Sequence, residues 1–260
     1  MLHHEISGNG KKPLVLLHGF MENTTIWDEM ETHLSKDFTL IKIDLPGHGK
    51  SKVYQEIHTV ELMAEKVKEV IDALKLEKIN LLGHSLGGYV SLAFAEKFPE
   101  ILESMTLFFS TTVADDEEKK AIRRRSIAVI DENFETFVKT SIPNLFSNNE
   151  KDILEGKIEL AKNIAKSTDK EGVKAAQLGM AERPDRTEIL ENLDAKILII
   201  AGKYDNAVKT ENLLKTIPEK TNIKTYVLDC GHNGHWEKPT ICAEIINTEL
   251  LHNLPKHFLL

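Results

Sequence analysis

Short apolar runs alternate along this chain with longer stretches whose apolar positions recur every three or four residues. Leu14-Val15-Leu16-Leu17, Thr39 to Ile43, Ile79-Asn80-Leu81-Leu82, Ser104 to Phe109, Lys196 to Ala201 and Ile223 to Leu228 have strand length. Most are apolar throughout, the pattern of strands buried on both faces. Leu2 to Ile6 reads as a further short strand, turned by Gly8-Asn9-Gly10. Between the runs, Val60, Met63, Ala64, Val67, Val70, Ile71 and Leu74 form the apolar face of an amphipathic helix. Thr24 or Thr25 caps an earlier helix that places Ile26, Trp27, Met30 and Leu34 on one face. Tyr89 to Ala95 reads as a buried helix, Asn212 to Ile217 as a short one, and Ile241, Ile245, Ile246 and Leu250 as the face of a closing one. Strands alternating with helices predict an α/β fold, a mainly parallel sheet with helices on both faces.

From Ala114 to Leu193 the strand signal stops. Asp115 to Glu118 precede Lys119 to Arg125, acids at a helix start and bases later, as the helix dipole prefers. Ile153, Leu154, Ile158, Ala161, Ile164 and Ala165 mark a second helix, and Val173 to Ala181 a third. The expected organisation is a core over residues 1–113, a helical insertion over 114–193 between two strands, and the rest of the core over 194–260.

Composition narrows the partners. The 260 residues carry a net charge of −8, and the one basic cluster, Arg123-Arg124-Arg125, lies beside acids. Nucleic acid and anionic membranes are therefore poor partners. No apolar run approaches the ~20 residues of a membrane span, and the N-terminus lacks signal-peptide character. Two cysteines, Cys230 and Cys242, are too few for a disulfide framework. A cytoplasmic protein is the expectation.

The chemistry centres on Gly83-His84-Ser85-Leu86-Gly87-Gly88, between an apolar strand and a buried helix. G-x-S-x-G at that junction is the nucleophile-elbow pattern: the turn is so tight that the flanking residues must lack side chains. A rival signal is Gly49-Lys50-Ser51, the end of a phosphate-binding loop. The first glycine of that motif would fall at Asp44, whose charge opposes phosphate. His232 and His235 with Cys230 and Cys242 match no established zinc spacing, so no metal and no cofactor is expected. Ligands on such a sheet bind outside the carboxyl ends of its strands, where His18-Gly19-Phe20, Ser85, Asp205 and His232 fall. Ser, then acid, then His is the α/β-hydrolase order. A serine needs a base, the base needs a carboxylate to orient it, and a tetrahedral oxyanion needs N–H donors.

With these residues the chain resembles a serine α/β-hydrolase with a helical cap. The matches are His18-Gly19-Phe20, Trp27, Asp44-x-Pro46-Gly47-His48-Gly49-x-Ser51, the Ser85 elbow, Gly202-x-x-Asp205 and Gly231-His232-x-x-x-x-Glu237-x-Pro239. Gly179-Met180-Ala181-Glu182-Arg183-Pro184-Asp185 is similar to small esterases and 3-oxoadipate enol-lactonase-like hydrolases. After Asp205 the chain runs Asn206-Ala207-Val208, where many relatives carry a proline nearby. The resemblance implies Ser85 as nucleophile, Asp205 as orienting acid, His232 as base, and the backbone N–H groups of Phe20 and Leu86 as oxyanion hole. It brings His84 and Trp27 forward as pocket-lining residues, and leaves His18 and His48 as loop-structural histidines. The implied activity is cleavage of a carboxylic ester or lactone. Alternatives are C–C bond hydrolysis, perhydrolysis or cyanohydrin cleavage on the same triad, or a non-catalytic ligand receptor on this fold.

Overall fold

A computed structural model describes residues 1–34 and 36–251. The strands are β1 (His4–Ser7), β2 (Lys12–Leu17), β3 (Phe38–Ile43), β4 (Ile79–His84), β5 (Leu102–Phe108), β6 (Lys196–Gly202) and β7 (Ile223–Leu228). They form one seven-stranded sheet in the order β1-β3-β2-β4-β5-β6-β7. β1 pairs antiparallel with β3, and every other pairing is parallel. The strand order reverses at β2 and β4. That switch point opens a crevice at their carboxyl ends, where His18 and Ser85 lie.

Successive strand residues point to opposite faces, and both faces are apolar. Val15, Leu17, Leu81, Met105, Leu107, Ile197 and Ile199 pack on α2 (Val60–Ala73) and α3 (Leu86–Lys97). Leu14, Leu16, Leu82, Phe108, Leu198 and Ile200 pack on the opposite layer, built from α1 (Asp28–Leu34) and the closing helix. α3 is buried from Leu86 to Ala95, so it is apolar nearly all round. The cap ahead of α1 differs from expectation. Asn23, not Thr24 or Thr25, accepts the Thr25 N–H, and Thr24–Trp27 form a 3-10 turn.

Between β5 and β6 the chain is helical: α4 (Glu117–Ser141), α5 (Glu155–Ser167), α6 (Lys170–Glu182) and α7 (Glu188–Asn192), with two 3-10 turns after α4. Asp116 caps α4 by accepting the Lys119 N–H. α4 breaks at Asn133, whose side chain accepts the Thr136 N–H and restarts the helix. Ile153 falls outside α5 and is 85% exposed, while Leu154 and Ile158 sit in the apolar layer. α8 (Thr210–Leu214), α9 (Gly234–Glu237) and α10 (Pro239–Leu251) complete the described fold. The face of α10 that packs inward carries Cys242, Ala243, Ile246 and Leu250, and Ile241 points outward. No helix among the described residues is long and apolar enough to cross a membrane.

Candidate active site

β4 ends at His84 and α3 begins at Leu86, so Ser85 alone makes the turn. Its backbone sits at φ 49°, ψ −110°, a conformation that costs a non-glycine residue about 1–3 kcal/mol. The surroundings hold it there. The Ser85 N–H donates to Phe108 O at 3.0 Å, and its carbonyl accepts Gly88 N–H and the Ser110 hydroxyl. A Cβ on Gly83 would meet Gly87 O at 2.1 Å, and one on Gly87 would meet Leu17 O at 2.4 Å. The glycines of the motif are thus demanded by backbone passing backbone.

Asp205 lies in the turn after β6 and His232 in the loop after β7. Asp205 Oδ2 is 2.7 Å from His232 Nδ1, and its Oδ1 accepts the Ala207 and Val208 N–H groups at 2.8 Å. The Asn206-Ala207-Val208 sequence therefore holds the carboxylate through its own backbone, with no proline. Burial disfavours a charged His232, but the Asp205 carboxylate and its hydrogen bond outweigh burial and raise the pKa above the ordinary value. The Leu86 N–H opens α3, where helix donors are unpaired and the dipole favours negative charge. Neither it nor the Phe20 N–H donates elsewhere among the described residues.

Ser85, His232, Phe20 and His84 border one cavity of about 750 Å³. Its far wall comes from α4 and α6, including Ile122, Phe137, Gln177, Met180 and Arg183. Trp27 is not among its lining residues. Its ring is fully buried beneath the site against Phe108 and His235, because the turn before α1 points it into the core. His18 and His48 serve the loops. His18 Nε2 accepts the Leu45 N–H, and the Nδ1 atoms of His18 and His48 meet the carbonyls of Gly19 and Pro46. The Asp44 carboxylate accepts the N–H groups of Thr24 and Lys50, so the Lys50 donor is already paired with an acid of the chain itself, against the rival loop reading.

Glu22 carried no sequence signal in this region, and His235 drew attention there only through the zinc spacing. Glu22 is buried beside His84, with its Oε2 at 2.8 Å from His84 Nδ1 and accepting the Gly19 N–H at 2.5 Å. Burial favours a neutral carboxyl, but the His84 ring and its hydrogen bond hold Glu22 down at about 2. His235 lies 3.7 Å from Glu22 Oε1, and neither of its ring nitrogens has a hydrogen-bond partner. Burial, then the neighbouring His84, push its pKa well below the ordinary value. Glu22, His84 and His235 bring three potential ligand atoms within 4.8 Å of one another. Ligands around tetrahedral zinc stand roughly 3.3 Å apart, from bond lengths near 2.0–2.1 Å. At 2.8 Å the Glu22–His84 contact is closer than that and is a hydrogen bond. Cys230 and Cys242 are buried free thiols with pKa values raised by burial, that of Cys242 to about 12, so they are poor thiolate ligands.

Residues 12–239 match the family described as alpha/beta hydrolase fold. The chain belongs to that family. A thermophilic esterase from Thermogutta terrifontis superposes with a TM-score of 0.89 at 33% identity, over 96% of this chain and 93% of that one. The enol-lactonase from Burkholderia xenovorans shares the fold with a TM-score of 0.87 at 21% identity, over 96% of each chain. A 2-hydroxy-6-oxononadienedioate/2-hydroxy-6-oxononatrienedioate hydrolase of Escherichia coli is 26% identical, over 91% of this α/β-hydrolase and 86% of the relative. An uncharacterized protein of Mycobacterium tuberculosis is 33% identical over 111 residues, and there the match spans 43% of this chain and 32% of that curated relative. Its relatives by sequence and by fold thus include an esterase and other hydrolases.

Proposed function

We propose that this α/β-hydrolase cleaves a carboxylic ester or lactone through an acyl-Ser85 intermediate. The observation that carries the reading is His232, held by Asp205 at 2.7 Å, on the same cavity as a strained Ser85. The cycle follows from the residues. His232 Nε2 takes the Ser85 proton as Oγ attacks the carbonyl, and Asp205 stabilises the imidazolium. The Phe20 and Leu86 N–H groups receive the developing oxyanion. The imidazolium returns its proton to the leaving alkoxide. Water, activated by the same nitrogen, then releases the acid and frees Ser85. In a lactone the leaving oxygen stays tethered to the acyl group.

The helices between β5 and β6 support a cap reading for residues 114–193. They build the wall opposite Ser85, and His232 N–H donates to Leu145 O of this segment at 2.8 Å. C–C bond cleavage is the second reading, and the 26% identical Escherichia coli hydrolase favours it. A panel of p-nitrophenyl esters, lactones and a vinylogous diketone acid, assayed on wild type and Ser85→Ala, tests both. Ester or lactone turnover should fall about 10⁴-fold or more in Ser85→Ala. A fluorophosphonate should label Ser85 alone. Labelling elsewhere, or full activity in the alanine variant, refutes the assignment. Turnover of the diketone only would transfer it to the C–C reading.

A further inference from the structure

Three loops must be held in register for the proposed chemistry: the loop after β2 with Phe20, the elbow with Ser85, and the loop after β7 with His232. No backbone ladder joins them, because each lies past the end of its strand. One buried side-chain chain does. The Gly19 N–H, next to Phe20, donates to Glu22 Oε2 at 2.5 Å. The same oxygen faces His84 Nδ1 at 2.8 Å, and His84 Nε2 faces the His232 carbonyl at 3.1 Å. His84 immediately precedes Ser85. Its two nitrogens thus link an oxygen of the Glu22 loop to one of the His232 loop. The chain is tightly enclosed. His84 is 1% exposed, and a Cβ on Gly19 would meet Glu22 Oε2 at 2.6 Å and His84 Nδ1 at 2.7 Å. His84 also packs against the rings of Phe108, Phe109, His232 and His235.

We propose that Glu22 and His84 are a positioning pair that braces the oxyanion loop and the base loop against the nucleophile. The inference rests on the Ser85–His232–Asp205 reading above. Neither residue of the pair exchanges a proton with substrate. Their effect is geometric: misplacing a reacting group by about 1 Å can cost 10²-fold in rate.

The test separates the two bonds of His84. In His84→Asn the amide nitrogen falls near Nδ1 and keeps the donor to Glu22. In His84→Gln it falls near Nε2 and keeps the donor to His232. Glu22→Gln keeps the shape and removes the charge. Turnover of a p-nitrophenyl ester is measured per active site titrated with fluorophosphonate, so misfolded protein does not count. Each variant should lose roughly 10- to 100-fold in kcat with KM within about threefold. The Glu22→Gln/His84→Asn double variant should be no worse than the weaker single, since the pair acts as one unit. A lowered melting temperature with unchanged kcat per site would make the pair merely structural and overturn the proposal. A raised KM with unchanged kcat would make His84 a substrate contact and overturn it equally. The brace is also read in wild type without any turnover. The Gly19 amide should exchange slowly with solvent deuterium, and quickly in Glu22→Ala, which removes the acceptor. Fast exchange in wild type sinks the brace directly. If Ser85 of wild type is not labelled by the phosphonate, the triad reading fails and this inference with it. Labelled, active variants with wild-type constants sink the brace alone.

Discussion

His232 and His235 sit three residues apart, are both buried, and are opposites in chemistry. His232 has a carboxylate at 2.7 Å that raises its pKa, whereas the His235 ring nitrogens have no hydrogen-bond partner among the described residues and burial drives its pKa down. Under the proposed mechanism the base must be unprotonated to accept the Ser85 proton. kcat/KM should therefore fall as pH drops, with an apparent pKa above the ordinary ~6.5 of histidine. His232→Ala should remove nearly all turnover, and His235→Ala should lower it far less. A pH–rate profile on the two variants and wild type checks this. The reverse ranking would give the base role to His235.

At the scale of elements, the segment between β5 and β6 is tied down at its join with the His232 loop. Glu237 accepts three backbone N–H groups, from Ser147, Gly231 and Asn233, at 3.1, 2.9 and 3.3 Å. Glu237→Ala would leave three buried donors unpaired, at about 1–3 kcal/mol each. Its urea midpoint should fall sharply, while Glu237→Gln, which keeps one acceptor oxygen, should lose much less. An equal, small loss in both would remove the anchor role. The inner face of the segment is where substrate selection is expected. Leu154 and Ile158, with apolar character and helical spacing, pack into the core layer instead, so the wall residues to alter are Phe137 and Met180. Met180→Ala should change the ranking of kcat/KM across acyl-chain lengths by about 1–3 kcal/mol per methylene-sized change. Labelling of Ser85 by a small phosphonate should barely move. Altered stability with an unchanged ranking would make the segment a packing appendage.

For the whole molecule, the number of buried histidines sets the response to acid. The pKa values of His18, His48, His58 and His235 are lowered, in each case chiefly by burial, that of His48 to about 3. Below pH ~6.5 the unfolded chain takes up protons at these positions that the folded chain refuses. His232 works the other way: its raised pKa adds stability that is full below ~6.5 and lost as pH rises through the folded value. Burial also raises the Glu237 carboxyl, but the four lowered histidines outnumber these two groups and leave the unfolded state binding more protons. Stability should fall on acidification from pH 7.5 to 5.5, approaching about 1.4 kcal/mol per pH unit for each net proton. Urea midpoints at the two pH values test it, and a midpoint unchanged or higher at pH 5.5 would contradict it. Below about pH 4.5 a second loss should follow as Glu22 and Asp115, both held at about 2, become protonated.

Periodicity and local chemistry are properties of neighbouring residues, so they were legible in the chain. The run Leu14 to Leu17 cannot face water on either side, and it became a strand buried on both faces of a parallel sheet. Glycines at 83 and 87 around Ser85 predict a turn too tight for side chains, and the backbone contacts there require it. The order Ser85, Asp205, His232 predicts three loops at one sheet edge, because parallel strands place their carboxyl ends together. Contacts across the sequence left no such trace. Glu22 is 62 residues from His84, and His84 is 148 from the His232 carbonyl it meets. Trp27 entered the core rather than the cavity, and Ile153 fell outside its helix, because packing partners decide which way an apolar side chain turns. A buried carboxylate looks like any surface glutamate in sequence. Only the tertiary fold, by removing water and bringing an imidazole and an amide to its oxygens, makes Glu22 part of the site.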